Sequence, residues 1–73
     1  MSETRYIILV LHQDVSHVRF TAEDDSDALL EATAQIYTNR QDVRWLEGLV
    51  LLLNEESGEV VRVLTQRLSV SES

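Results

Sequence analysis

The side chains best suited to metal chemistry lie around one predicted turn. His12 and His17 flank Gln13–Ser16, and Asp14 lies between the two histidines. Imidazole and carboxylate groups are ligands that zinc and nickel accept, but a closed zinc site uses about four of them. The alternative is that all three residues face solvent at the tip of a hairpin. Because the set supplies only two firm ligands, we expect neither a metal nor another cofactor here.

The sequence contains no motif for covalent catalysis. Serine, histidine and aspartate all occur, but there is no GxSxG, no glycine-rich phosphate loop and no HExxH. All 6 basic residues are arginine, which excludes lysine nucleophiles and Schiff-base chemistry. A chain of 73 residues with 2 glycines also has little concave surface for a substrate. We therefore expect a protein that is not an enzyme.

The charge balance constrains the partners. The chain has 13 acidic residues and 6 arginines, which gives a net charge of -7. Direct nucleic-acid binding depends on a basic surface that displaces counterions from phosphate, so we do not expect it. An acidic surface favours binding to basic protein surfaces, such as those that nucleic-acid machines present. The alternative is that the charge only keeps a small protein soluble.

Eight of the 13 acidic residues form two clusters that are candidate protein interfaces. One lies at the start of a predicted helix and comprises Glu23, Asp24, Asp25, Asp27 and Glu31. The other lies at a predicted turn and comprises Glu55, Glu56 and Glu59. Either cluster could dock onto an arginine- or lysine-rich surface. The alternative is that neither cluster binds a partner. The first cluster would then only cap the helix and interact favourably with its dipole, and the second would only face solvent.

The elements that must position these residues follow from the apolar pattern. Alternating or continuous apolar runs predict strands over Thr4–His12, His17–Ala22, Arg44–Asn54 and Glu59–Arg67. Between the two strand pairs, helical spacing predicts a helix over Asp25–Thr38 with an apolar stripe of Ala28, Leu29, Ala32, Ile36 and Tyr37. Asp24 is its expected N-cap. Gly58 is expected in a left-handed turn, and Gly48 indicates a bulge or a close backbone approach.

Two runs, Tyr6–Leu11 and Leu49–Leu53, are apolar at every position, which is typical of strands buried on both faces. Placing both in the centre predicts an α+β fold, ββαββ, with a four-stranded antiparallel sheet of order 2-1-3-4 and one helix on one face. The right-handed crossover runs through the helix. We expect one domain over residues 1–68 and a flexible acidic tail over 69–73.

A four-residue first turn would pair His12 with His17, Leu11 with Val18 and Leu9 with Phe20. The predicted core side of this hairpin is then Ile7, Leu9, Leu11, Val18, Phe20 and Ala22. The predicted open side carries Tyr6, Ile8, Val10 and Arg19, which we take as a protein interface. A helix about 10 Å wide cannot cover two faces of a sheet. We therefore expect a homodimer or another protein on the open side. The register of the second hairpin is left open, because a bulge beside Gly58 would change it.

Trp45 is the only tryptophan and has two interpretations. Tryptophan is a frequent interface anchor, so Trp45 is a possible contact for a partner. Alternatively, it closes one end of a small core under the helix C-terminus.

In size, acidity, lack of cysteine and lack of catalytic motifs, the chain resembles small acidic phage-encoded regulators and inhibitors of host nucleic-acid machinery. This resemblance implies an acidic interaction module that binds a basic surface of a nucleic-acid-processing protein such as RNA polymerase, and so regulates transcription. One alternative is a homodimeric structural or assembly protein, and a second is a weak metal- or ligand-binding domain.

No apolar run approaches the ~18–20 residues that span a bilayer, so we expect a cytoplasmic protein without membrane contact.

Overall fold

The computed structural model describes residues 3–65. The elements in chain order are β1 (Thr4–Leu11), β2 (Val15–Ala22), α1 (Asp25–Thr38), α2 (Val43–Glu47), β3 (Leu49–Asn54) and β4 (Val60–Val63). The strands form one sheet of order β2-β1-β3-β4 in which all neighbours are antiparallel. The predicted α+β fold and its strand order are confirmed. Positions 66–67 of the predicted fourth strand and the predicted tail lie outside the described residues.

Helix α1 spans the predicted residues, Asp25–Thr38, and begins directly after its expected N-cap, Asp24. The Asp24 side chain accepts a hydrogen bond from the Asp27 backbone N–H at 3.0 Å, which satisfies one free donor of the first turn. Ala28 and Ala32 are fully buried, and small side chains there let the helix lie close to the sheet. Tyr37, predicted on the apolar stripe, is 66% exposed. The Arg40 guanidinium lies 4.1 Å from the centre of its ring.

A short helix, α2, occupies part of the predicted third strand, so the prediction that this strand begins at Arg44 is wrong. The Asp42 side chain accepts from the Arg44 backbone N–H at 2.9 Å and pairs with the Arg44 guanidinium at 2.8 Å. This cap starts a helical turn that carries Trp45 into the core, where it is 5% exposed. Trp45 therefore closes the core, and its assignment as an interface anchor is wrong.

Gly48 joins α2 to β3 at a close approach of two backbone segments. A β-carbon at Gly48 would lie 2.5 Å from the Arg44 carbonyl oxygen and 2.7 Å from the Leu11 carbonyl oxygen. Both distances are far below van der Waals contact. Of the two interpretations of this glycine, the close backbone approach is confirmed.

The register of the first hairpin differs from the prediction. The β1–β2 loop is His12–Asp14, shorter than expected, and it pairs Leu11 with Val15, and Tyr6 with Phe20. The predicted partner of Leu11 was Val18, three positions further along. An odd shift reverses the face of one strand relative to the other. Because Val18 and Phe20 pack against the core as predicted, the strand that is reversed is β1.

The core therefore contains the β1 residues that were expected on the open side. Tyr6, Ile8 and Val10 are at most 1% exposed, so their predicted placement on the open side is wrong. They form one cluster with side chains of β2, β3 and both helices: Ala22, Ala28, Ala32, Trp45, Val50 and Leu52. Ile7, Leu9 and Leu11, predicted in the core, alternate with these residues and lie on the opposite face.

The second hairpin contains an irregularity next to its turn. Leu51 pairs with Val63 and Leu53 with Val60, with a shift of register between Leu52 and Leu53. Gly58 has a φ of 79°, the left-handed conformation expected there. The shift brings Val61 against the core, so that β4 supports the core as well as the sheet edge.

Candidate protein interface

The second face of the sheet is built from aliphatic side chains of the two central strands. Cross-strand pairing arranges them in three rows: Ile7 with Leu53, Leu9 with Leu51, and Leu11 with Leu49. Alternation along each strand directs these six side chains away from the core residues between them. We call this set, Ile7, Leu9, Leu11, Leu49, Leu51 and Leu53, the leucine face. Sequence reasoning recognised a second apolar face but assigned the wrong β1 residues to it.

Among residues 3–65, the leucine face has no helix over it. Both helices bury their side chains in the core cluster on the other face, through Ala28, Ala32 and Trp45. Leu49 is 42% exposed, and the remaining five leucine-face residues are partly exposed. The outer strands extend the apolar surface with three exposed valines, Val15, Val60 and Val63. Contiguous apolar surface of this kind is uncommon on monomers and marks interaction sites.

One end of the leucine face is bounded by ion pairs. Arg19 lies opposite Ile7 on β2, and its Nε is 3.3 Å from a carboxylate oxygen of Glu55, across β1. Arg5 is 3.6 Å from a carboxylate oxygen of Glu56. The arginines come from β1 and β2, whereas the glutamates follow β3. At the opposite end, Val15 lies beside the Leu11–Leu49 row, and the His12–Glu47 ion pair lies just beyond these residues along the chain.

The two acidic clusters differ in their surroundings. In the α1 cluster, Asp24 caps the helix, Asp25 accepts from the Tyr6 hydroxyl, and Glu31 accepts from Gln35. None of the ion pairs formed within residues 3–65 includes a member of this cluster: Glu23, Asp24, Asp25, Asp27 and Glu31. In the second cluster, by contrast, arginines compensate Glu55 and Glu56, while Glu59 is exposed. The uncompensated negative charge is therefore concentrated at α1.

The histidines do not face each other. The shorter loop places His17 opposite Leu9, so the predicted pairing of His12 with His17 is wrong. His12 Nε2 instead lies 3.9 Å from a carboxylate oxygen of Glu47. Within the described range, no group of three histidine, cysteine or acidic side chains could hold a metal ion.

Among residues 3–65, Tyr6 has the largest shift of pKa, and its role is structural. Burial disfavours the charged phenolate, and the Asp25 carboxylate accepts the hydroxyl hydrogen bond at 2.7 Å. Together they raise the pKa of Tyr6 to about 12. A phenol held protonated in a core is a fixed hydrogen-bond donor, which ties β1 to the first turn of α1.

None of the helices within residues 3–65 is both long and apolar enough to cross a membrane. Comparison with protein-family models, with curated protein sequences and with solved structures finds no match to this chain.

Proposed function

We propose that this protein is a non-enzymatic interaction module in which the leucine face pairs two copies of the chain. The observation that carries this proposal is the alignment of six aliphatic side chains in three rows on the face opposite both helices. An identical face is a partner of matching chemistry, because packing apolar rows on apolar rows removes both from water. Such a two-fold contact uses the same surface patch on each copy.

The area of the sheet fits a weak, reversible dimer. Four strands at about 4.8 Å are about 19 Å wide, and strands of eight, eight, six and four residues at about 3.3 Å have a mean length of about 21 Å. The face therefore measures about 400 Å² per copy, or about 800 Å² for two copies. This is below the roughly 1,000 Å² expected of a stable biological interface and in the range of weak, transient contacts. Reversible association is therefore expected, not an obligate dimer.

The test is the effect of one charge on the leucine face. Leu51→Asp should convert the dimer to a monomer of 8.4 kDa, because a carboxylate in the central row would be buried without a partner. Leu49→Asp, at a more exposed position, should act in the same direction. The matched control is Leu30→Asp, because Leu30 is 70% exposed on α1. Sedimentation gives the mass and circular dichroism confirms the fold.

Persistent dimers of folded Leu51→Asp and Leu49→Asp would exclude the leucine face as the interface. Dissociation of Leu30→Asp to the same extent would also contradict the proposal, because the effect would then come from added charge alone.

A second candidate function uses the α1 acidic cluster to bind a basic protein surface, as a regulator or inhibitor of a nucleic-acid-processing protein such as RNA polymerase. Its support is the absence, within the described residues, of ion pairs to this cluster. Because α1 packs on the face opposite the leucine face, dimerisation would leave the cluster accessible. Exposed charge pairs are screened by salt, so binding should weaken steeply as salt rises.

Purified RNA polymerase is the probe for this second candidate. Asp27→Asn combined with Glu31→Gln should weaken binding, whereas Glu59→Gln, outside the cluster, should leave it unchanged. Absence of binding at low salt would overturn this candidate and leave the dimer proposal intact.

A further inference from the structure

We infer that the two copies pair about an axis parallel to the strands, so that Arg5 and Arg19 of each copy face Glu55 and Glu56 of the other. This inference rests on the proposed function and adds the orientation of the copies and the residues that select it.

Two copies that pack face to face can be related by a two-fold axis in two ways. The axis lies between the two sheets and is either parallel or perpendicular to the strands. An axis parallel to the strands keeps corresponding ends together and places β1 of one copy over β3 of the other. An axis perpendicular to the strands reverses one copy, so that each end lies over the opposite end. Both keep strand directions aligned, as stacked sheets prefer. Sheet packing alone therefore does not choose between them.

The distribution of charge chooses between the two orientations. Arg5 and Arg19 lie on the β2–β1 half of the sheet, where Glu3 accepts a hydrogen bond from the Thr21 hydroxyl, and Glu55 and Glu56 follow β3 at the same end. The two arginines outnumber Glu3, so the first half is positive and the second half is negative. A parallel axis exchanges the halves, so each arginine pair meets the glutamate pair of the second copy, twice per dimer. A perpendicular axis would press this charged end onto Val15 and Leu49. Burying charge against apolar side chains is costly.

The side chains are long enough for the contact. Within one chain, Arg19 and Glu55 already meet at 3.3 Å although β1 lies between their strands, a span of about 10 Å. Stacked sheets are also about 10 Å apart. The Arg19 side chain is 63% exposed, so it can turn from its own glutamate towards that of the second copy.

Two single charge reversals test this orientation. Arg19→Glu makes the charged end of each copy more negative, and Glu55→Arg makes it more positive. Each variant should dimerise with itself about tenfold more weakly than wild type, because like charges then face each other. Mixing the two variants should restore wild-type affinity in a heterodimer, since residue 19 of each variant then faces a residue 55 of opposite charge. One chain carrying both changes should also dimerise like wild type.

Matched controls distinguish the effect of charges that face each other from the effect of a changed net charge. Arg19→Glu takes the net charge from -7 to -9, as does Arg40→Glu, two residues after the end of α1. Glu55→Arg takes it from -7 to -5, as does Glu31→Arg on α1. Neither control residue lies on the leucine face, so both should dimerise like wild type, and mixing them should change nothing.

Sedimentation equilibrium of the single and mixed variants gives the dissociation constants. The orientation is overturned if Arg19→Glu and Glu55→Arg dimerise like their controls, or if mixing them fails to restore affinity. If Leu51→Asp still abolishes the dimer in that case, the proposed function survives and only the orientation fails. A wild-type monomer would overturn both.

Discussion

The Tyr6 hydroxyl donates a hydrogen bond of 2.7 Å to Asp25 Oδ1, which joins β1 to the first turn of α1. The Tyr6 ring also stacks on Phe20, with ring centres 5.8 Å apart. These two contacts place Tyr6 and the alternate residues Ile8 and Val10 beneath the helices. Because side chains alternate along a strand, the same placement puts Ile7, Leu9 and Leu11 on the leucine face. The burial of Tyr6 therefore determines which β1 residues form the proposed interface.

The shifted pKa of Tyr6 predicts alkaline sensitivity. The folded chain holds the Tyr6 proton up to about pH 12, whereas the unfolded chain releases it near 10.0. The contribution of Tyr6 to stability is therefore complete below pH 10.0 and is lost as pH rises through about 12.

The measurement is a tyrosinate absorbance titration of Tyr37→Phe, in which Tyr6 is the only tyrosine. Circular dichroism should show that the chain remains folded while Tyr6 stays protonated above pH 10.0. A folded chain whose Tyr6 titrates at the unfolded value would contradict the buried hydrogen bond.

Neighbouring residues of β1 should respond differently to the same substitution. Ile8 is 0% exposed, so Ile8→Asp should unfold the chain, at a cost of more than about 4 kcal/mol. Leu9 lies on the leucine face, so Leu9→Asp should keep the fold and lose the dimer. Urea unfolding and sedimentation distinguish the two results. A folded Ile8→Asp monomer beside an unfolded Leu9→Asp would mean that β1 presents the opposite face to the core.

The two glycines should differ in their tolerance of alanine. At Gly48 a β-carbon would meet two backbone carbonyl oxygens, so Gly48→Ala should destabilise the fold by about 1–3 kcal/mol through displaced backbone. Gly58 has open space around it, and alanine there meets only the strain of a left-handed φ, about 1 kcal/mol. The midpoint of urea unfolding should be lower for Gly48→Ala than for Gly58→Ala. Wild-type stability of Gly48→Ala would contradict the close approach.

Local signals were sufficient to predict much of the fold. The Asp24 cap predicted the start of α1 correctly, and the helical spacing of Ala28 and Ala32 predicted the helix itself. Two continuous apolar runs predicted the central strands and therefore the strand order. These features are local: each is decided by a few neighbouring residues and needs no knowledge of tertiary contacts.

The face of β1 could not be predicted from its own residues. Every position of Tyr6–Leu11 is apolar, so alternation does not distinguish core from surface. The face depends on the register, and the register depends on a loop that is one residue shorter than expected. A signal was present in Val15, whose β-branched side chain favours an earlier start of β2. The hydroxyl of Tyr6, which needs a partner when buried, does not by itself indicate Asp25.

Helix α2 was missed for a different reason. Its five residues are too few to show helical periodicity, and the alternation of Val43 with Trp45 also fits a strand. Asp42 was the available signal, because aspartate is a preferred N-cap. Whether this cap outweighs the strand propensity of the following residues depends on the burial of Trp45, which only the tertiary structure shows.

The solution mass of the wild-type chain, measured by light scattering on a sizing column at low and high salt, tests the central claim most directly. We predict a mass near twice 8.4 kDa at high protein concentration in both conditions, because the contact is mainly apolar. A mass of 8.4 kDa at every concentration and salt would contradict the pairing of two leucine faces.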